Sequence, residues 1–304
     1  MRLGMIGLGR MGGNMARRLR GGGIEVVGYN RNVTVTSNLA DECGLTPADS
    51  GEHLVSQLEE PRLVWLMLPA GEITETYVGQ IKNLLGAGDI LVDGANSYFK
   101  DSIRRGHELA RLNIDFVDVG VSGGVWGLEK GYALMIGGRE EALAQLKPVI
   151  EVLAPAPGRG WLHAGPIGSG HFVKMIHNGI EYGMMQAYAE GFALLKARDD
   201  FSLDLAEIAE TWRHGSVVRS WLLDLTASFL AEDQGLANIE PFVADSGEGR
   251  WTAIEAIEQG IPTPVMSTAL MMRFASQGQQ DYTAKLLAMM RKGFGGHALK
   301  QRDQ

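Results

Sequence analysis

The apolar run Leu3-Gly4-Met5-Ile6 leads straight into Gly7-Leu8-Gly9-Arg10-Met11-Gly12. A strand that ends in G-x-G-x-x-G and opens a helix makes three demands of the fold. It needs a tight turn, backbone close to whatever binds, and close helix–strand packing. Three spaced glycines would also serve a merely structural turn, and this chain has 41 glycines. Their position at the first strand-to-helix turn is what favours a pyrophosphate held at a helix N-terminus.

The rest of the first half agrees with that start. Strands are predicted at Arg2–Ile6, Glu25–Tyr29, Leu63–Leu68, Ile90–Asp93 and Phe116–Val119. Helices are predicted between them, at Gly12–Leu19, Ile73–Leu85 and Asp101–Leu112. Strand and helix in alternation imply an α/β, Rossmann-like doubly wound parallel sheet. Tyr132–Gly137 and Trp161–Ala164 read as further strands, one of them a candidate antiparallel edge.

After the Pro/Gly-rich segment Ala154–Gly160 and the turn Gly165–Gly170 the strand signal stops. One long helix is expected from Gly170 to Ala197. Others are expected at Leu203–His214, Val217–Ala231, Trp251–Gln259, Val265–Gln277 and Tyr282–Lys292. The expected organisation is a dinucleotide-binding domain over 1–164 and an all-helical substrate and dimerisation domain with a C-terminal tail over 165–304.

Composition excludes some partners. The formal net charge of −8 argues against a general nucleic-acid or membrane binder. No apolar run reaches the roughly 18 residues that a membrane span needs, and the first residues lack the apolar core of a signal peptide. The single cysteine, Cys43, leaves no intrachain disulfide. A cytoplasmic protein is expected. His53, His107, His163, His171 and His214 show no metal-ligand spacing, so no metal is expected.

The residues after the second strand bear on the cofactor. An acid there would accept the ribose hydroxyls of NAD, but the sequence is Asn30-Arg31-Asn32. Arg31 could pair with a 2′-phosphate and stack on adenine, which favours NADP. A solvated Arg31 with NAD in use is the alternative. The cofactor-facing set further takes in Leu68, Pro69, Ala70 and Asn96.

The segment His171–Gly183, HFVKMIHNGIEYG, carries polar groups through an apolar helix. At about 100° per residue, Lys174, His177, Asn178, Glu181 and Tyr182 share a wedge of roughly 140°. Lys174 and Glu181 stand two turns apart, about 10 Å along the axis. Such a face suits a polar cavity that holds a small substrate, although a solvent-exposed polar side would give the same pattern.

These residues carry a resemblance. G-S-G-H-F-V-K-M-I-H-N-G-I-E-Y-G is similar to the catalytic helix of the decarboxylating 6-phosphogluconate dehydrogenases. Asp93-Gly94-Ala95-Asn96-Ser97, Val121-Ser122-Gly123-Gly124, Gly249-Arg250-Trp251-Thr252-Ala253-Ile254 and Phe294-Gly295-Gly296-His297 resemble further motifs of that family, in order. The resemblance implies oxidative decarboxylation of 6-phospho-D-gluconate to D-ribulose 5-phosphate with reduction of NAD(P). Lys174 would be the general base; it must be neutral to act, which burial or nearby positive charge favours. Glu181 would protonate the enediol, and Asn178 completes the catalytic set. Asn96, Ser122, Gly123, Gly124, His177, Asn178 and Tyr182 would hold the sugar acid. Arg273 would bind phosphate, and Arg291 and His297 would reach the partner's site in a homodimer or larger homo-oligomer.

The chain departs from the family at two positions and in length. Ser246 and Glu248 replace a lysine and a threonine, which removes a phosphate-binding cation and shifts that task to Arg273, Arg291 and Arg250. The chain also looks like the short form, without a second helical repeat. Two alternatives remain: a non-decarboxylating β-hydroxyacid dehydrogenase of the 3-hydroxyisobutyrate type, and a cofactor-binding scaffold without turnover.

Overall fold

The computed structural model describes residues 1–278 and 281–295. The chain divides into two compact units, Met1–His177 and Asn178–Gln304.

The first unit runs β1 (Arg2–Ile6), α1 (Arg10–Gly21), β2 (Glu25–Tyr29), α2 (Val33–Cys43), β3 (Thr46–Pro47), α3 (Gly51–Ser56) and β4 (Leu63–Leu66). It continues through α4 (Glu72–Ile81), β5 (Ile90–Asp93), α5 (Phe99–Ala110), β6 (Asp115–Ser122), α6 (Gly127–Lys130), β7 (Ala133–Gly137), α7 (Glu140–Leu153) and β8 (Trp161–Gly165). Helix α8 (Ser169–Lys196) then starts in this unit and continues past its end.

The eight strands form one sheet in the order β3-β2-β1-β4-β5-β6-β7-β8. The pairs from β3 to β6 are parallel, as the alternation of strand and helix predicts. β7 is antiparallel to β6 and β8 is parallel to β7. The reversal is therefore a two-strand flank, with β7 inside the sheet and β8 at the edge, not a lone antiparallel edge strand.

Alternate strand residues feed two cores. Leu3, Met5, Leu63, Trp65, Val117 and Val119 meet Met15 and Leu19 of α1 and Leu146, Val149 and Ile150 of α7 on one face. Ile6, Val64, Leu66, Leu91 and Phe116 meet Leu54, Val78, Ile81 and Leu109 of α3, α4 and α5 on the other. Because both faces are covered, the parallel strands read as nearly continuous apolar runs.

The sequence reading missed α2, α3, α6, α7 and β3. Helix α2 begins at an Asn32 cap, whose Oδ1 accepts from the Thr34 amide at 3.1 Å, but its body, VTVTSNLADEC, is rich in β-branched residues.

In the second unit, Phe192 of α8 packs with Leu205 and Ala209 of α9 (Leu205–Arg213) and with Leu223, Ala227 and Leu230 of α10 (Trp221–Glu232). Then follow α11 (Glu248–Gln259), α12 (Pro264–Ser276) and α13 (Asp281–Gly295). The helix expected from Val217 starts later, at Trp221, because Ser220 caps it by accepting the Leu223 amide at 3.1 Å.

Candidate active site

Four adjacent parallel strands, β2, β1, β4 and β5, finish level with one another, and β6 runs on past them to Ser122. Ile6 is level with Tyr29 on one side and Leu66 on the other; Leu66 is level with Asp93, and Asp93 with Asp118. The segments that leave these strands meet at one edge of the first unit: Gly7–Gly12, 30–32, 68–70, Asn96 and 122–124. β1 and β4 flank the point where the strand order reverses, which is where open α/β sheets bind ligands.

The glycine loop meets each demand of its motif. Gly7 has a φ of +93°, and a Cβ there would lie 2.3 Å from the Met67 carbonyl oxygen. A Cβ on Gly12 would lie 2.0 Å from the Gly7 carbonyl oxygen. One on Gly9 would meet nothing within 4 Å, so the backbone there faces open space. Helix α1 starts with no side-chain cap and no acid in its first turn. Its free amide donors and open approach fit a pyrophosphate. Arg10 at its start is exposed, and Met11 is half-buried against the core.

Leu8 differs from its neighbours. Its side chain is buried, and its amide donates to Oδ1 of Asn30 at 3.1 Å. Asn30 thus braces the glycine loop from the end of β2, and its Nδ2 donates to the Asn32 carbonyl at 3.3 Å. Asn32 caps α2, and Arg31 between the two asparagines is exposed and makes no ion pair among the described residues.

Asn96 sits exposed on a turn built over buried charge. Asp93 accepts the Ala95 amide at 3.0 Å on one oxygen and the Ser97 hydroxyl at 2.8 Å on the other. The second oxygen also takes Arg105 at 2.9 Å, and neither side chain of that ion pair is more than 1% exposed. Arg105 reaches Glu75 of α4 as well, at 2.9 Å. Hydrogen bonds from Arg104, and then from Arg105, hold the Glu75 carboxyl down at about 2.

Asp118 performs a parallel task one strand over. Its two oxygens accept the amides of Gly168 (2.6 Å) and His171 (2.8 Å), which closes the N-terminus of α8 on β6. Burial pushes this carboxyl up from its ordinary value. The ring of His171 is buried, with Nδ1 2.7 Å from the Ser102 hydroxyl.

Glycines let the helix sit directly on the strands. A Cβ on Gly170 would lie 2.5 Å from the Met135 carbonyl, and one on Gly137 would lie 2.5 Å from Oδ1 of Asp118. This close seat buries Lys174 against Gly120 of β6, two residues before Ser122. Gly123 and Gly124 follow with φ of +134° and +53°, values that favour glycine. The Lys174 amine lies 3.4 Å from Nδ1 of His177.

Asn178, Glu181 and Tyr182 continue along α8 into the second unit, the first and last buried and Glu181 half-buried. Around Tyr182 a polar chain forms. Its hydroxyl lies 3.4 Å from the Ser246 hydroxyl, which donates to Glu248 at 2.5 Å. The Glu248 carboxyl is buried, and its other oxygen has no hydrogen-bond partner among the described residues. The Arg273 guanidinium stacks 3.5 Å from the Tyr182 ring centroid and donates to the Ala244 carbonyl at 2.7 Å. Arg250 donates from its Nε to Asp245 and stacks on the Phe274 ring. Arg291 is exposed on α13, and His297 lies outside the described residues.

Residues 2–162 match the NAD-binding domain of 6-phosphogluconate dehydrogenase, and residues 170–304 match the C-terminal domain of that enzyme. The chain belongs to the 6-phosphogluconate dehydrogenase family. A Haloferax volcanii relative, an NAD(+)-dependent decarboxylating 6-phosphogluconate dehydrogenase, is 41% identical over the full length of both chains. The Plasmodium falciparum 6-phosphogluconate dehydrogenase, solved as apo form and with NADP+ or 6-phosphogluconate, is 29% identical. It covers all of this chain, which spans 67% of it, at a TM-score of 0.83. A Salmonella typhimurium 3-hydroxyisobutyrate dehydrogenase structure, at 22% identity and a TM-score of 0.76, shares the fold over 92% of this chain and 95% of its own.

The family motifs mark the loops that follow the strands and the polar face of α8, but not the buried groups that hold them. Arg105, Glu75 and Asp118 escaped the sequence reading. Asp118 left a signal, an acid flanked by apolar residues inside the strand sequence DFVDVGV. A buried acid needs partners. Arg105 left none, because an R-R pair on a helix reads as solvated surface.

Proposed function

We propose that this chain oxidatively decarboxylates 6-phospho-D-gluconate to D-ribulose 5-phosphate and CO2, with reduction of NADP in preference to NAD. The observation that carries the reading is the polar series on α8. Lys174 is buried against β6 beside the Ser122–Gly124 loop, and His177, Asn178, Glu181 and Tyr182 follow on the same helix.

The bound nicotinamide supplies the acceptor for the hydride leaving C3. Lys174 takes the proton of the 3-hydroxyl as that carbon is oxidised. The 3-keto acid then loses CO2, and Glu181 delivers a proton to C1 of the enediol. Asn96, Ser122 and the Gly123–Gly124 backbone hold the sugar acid, with His177, Asn178 and Tyr182. Arg273 takes the phosphate with Arg291. The 2′-phosphate of NADP pairs with Arg31, whose neighbours Asn30 and Asn32 are engaged in bracing the loop and capping α2.

We place the protein in the cytoplasm, as at least a homodimer that His297 helps to complete. Apolar side chains left open on the second unit support an assembly, among them Val217 (98% exposed), Ile257 (80%) and Leu194 (75%). No helix among the described residues is long and apolar enough to cross a membrane.

A second reading, oxidation of an unphosphorylated β-hydroxy acid without loss of CO2, draws on the carboxyl of Glu248 beside Ser246. Initial rates with 6-phosphogluconate, gluconate and 3-hydroxyisobutyrate, each with NADP and NAD and with CO2 trapped, separate the two. Turnover of 6-phosphogluconate with one CO2 per reduced nicotinamide is expected. Turnover of 3-hydroxyisobutyrate alone would overturn the reading.

A further inference from the structure

We propose that Arg105 is a positioning residue that fixes the spacing between two loops of the cofactor crevice, 68–70 and 93–97. The inference rests on the chain's membership of a nicotinamide-dependent family and on the assignment of both loops to the cofactor.

Arg105 touches neither loop apex, and its guanidinium is 1% exposed. It acts through its partners on both sides. Toward β5, one terminal nitrogen donates to Asp93 at 2.9 Å and to the Ser97 hydroxyl at 3.2 Å. These are the first and last residues of the turn that displays Asn96. Toward α4, its Nε and second terminal nitrogen both approach one oxygen of Glu75 at 2.9 Å. Helix α4 is in turn fixed to the other loop, because the buried Thr74 hydroxyl donates to the Pro69 carbonyl at 2.8 Å. One planar cation therefore joins residues 93 and 97 to residue 69 by way of Glu75, its chain neighbour Thr74 and that hydroxyl.

A lysine cannot replace it. An ammonium is a point charge on a flexible stem and cannot face Asp93 and Glu75 in the fixed fork that the guanidinium provides. A rigid link at this place matters for binding because a crevice held in its bound geometry loses less freedom when ligand arrives.

The test is binding of NADPH to the full chain, followed by nicotinamide fluorescence at a temperature well below each variant's melting point. Glu75→Gln leaves the buried Asp93–Arg105 pair in place and weakens the α4 arm, together with the exposed Arg104–Glu75 pair. It should raise the Kd for NADPH about three- to tenfold, and Arg105→Lys should raise it more. In steady state, Glu75→Gln should raise the KM for cofactor by the same factor with kcat within about twofold, the pattern of lost uniform binding. Unchanged NADPH affinity in Glu75→Gln would overturn the proposal, whatever happens to thermal stability, and this variant decides the matter if Arg105→Lys fails to fold. NADPH binding needs no substrate, so absence of 6-phosphogluconate turnover would count against the proposed reaction and leave this test intact.

Discussion

A Cβ added to Gly120 would stand 2.3 Å from the Cβ of Lys174, so the strand and the helix meet there with no side chain between them. Gly120→Ala must push α8 off β6. Overpacking of this kind costs about 1–3 kcal/mol. The expected result is a lower denaturation midpoint together with a kcat reduced at least about tenfold, since a displaced base misses its proton. Urea titration and steady-state rates on the same preparation check both.

Asp118 should not tolerate the isosteric amide. Asn offers one acceptor oxygen, so either the Gly168 or the His171 amide would face an NH2 group. A buried donor left without a partner costs about 1–3 kcal/mol. Asp118→Asn is expected to lose stability by that amount, and amide exchange should speed up in the first turn of α8 while the distal helices keep their protection.

Arg31 sets the cofactor ratio if its side chain pairs with a 2′-phosphate. Arg31→Ala should cut kcat/KM for NADP about tenfold or more and leave NAD within about twofold, the difference expected for one charge-assisted contact. Equal losses with both cofactors would assign Arg31 to adenine stacking alone.

Glu248 should govern recognition of the substrate's tail. In Glu248→Gln the Ser246 hydroxyl loses its carboxyl acceptor, and an acid is removed from the Ser246–Tyr182 chain on which Arg273 stacks. The KM for 6-phosphogluconate is expected to fall severalfold with kcat little changed, because only ground-state binding is altered. A rise in KM would show instead that the carboxylate orients Ser246 and Tyr182 productively.

Glu75 gives a pH signature. Its folded value of about 2 lies below the ordinary 4.5 because Arg104 and Arg105 hydrogen-bond the carboxylate. A depressed carboxyl contributes stability that is fully present above its unfolded value and is lost as pH falls through its folded value. Wild type should thus be more stable than Glu75→Gln above about pH 4.5, and the gap should close between there and about pH 2. Paired denaturation curves across that range test it.

The contrast between readable and hidden residues has a physical basis. Gly7, Gly12, Lys174 and Asn178 were legible because ligand geometry or helix periodicity dictates their spacing. The sheet was legible because strands covered on both faces carry long apolar runs. Helix α2 was not, since Val33, Thr34, Val35 and Thr36 suit a strand, and the Asn32 and Gly44 caps and the core contacts of Val35 and Leu39 favour the helix. Arg105 and Asp118 were not, since their partners Glu75, Asp93 and Gly168 lie far off in sequence and only the folded chain brings them together. The β7 and β8 strands were legible and a reversal was expected, but not that both strands share it, because an apolar run does not encode strand direction.

The glycine seat of α8 also bears on how relatives can be recombined. Gly120, Gly137 and Gly170 form one fitted surface with no compressible layer in it. A chimera joined near residue 164 would pair Gly120 and Gly137 from one parent with Gly170 from another and ask two independently drifted backbones to meet within a few tenths of an ångström. A crossover after His177, where the first compact unit ends, would inherit the whole seat from one parent. Exchange of cofactor modules within the family should therefore succeed or fail by whether the first turns of this helix travel with the sheet.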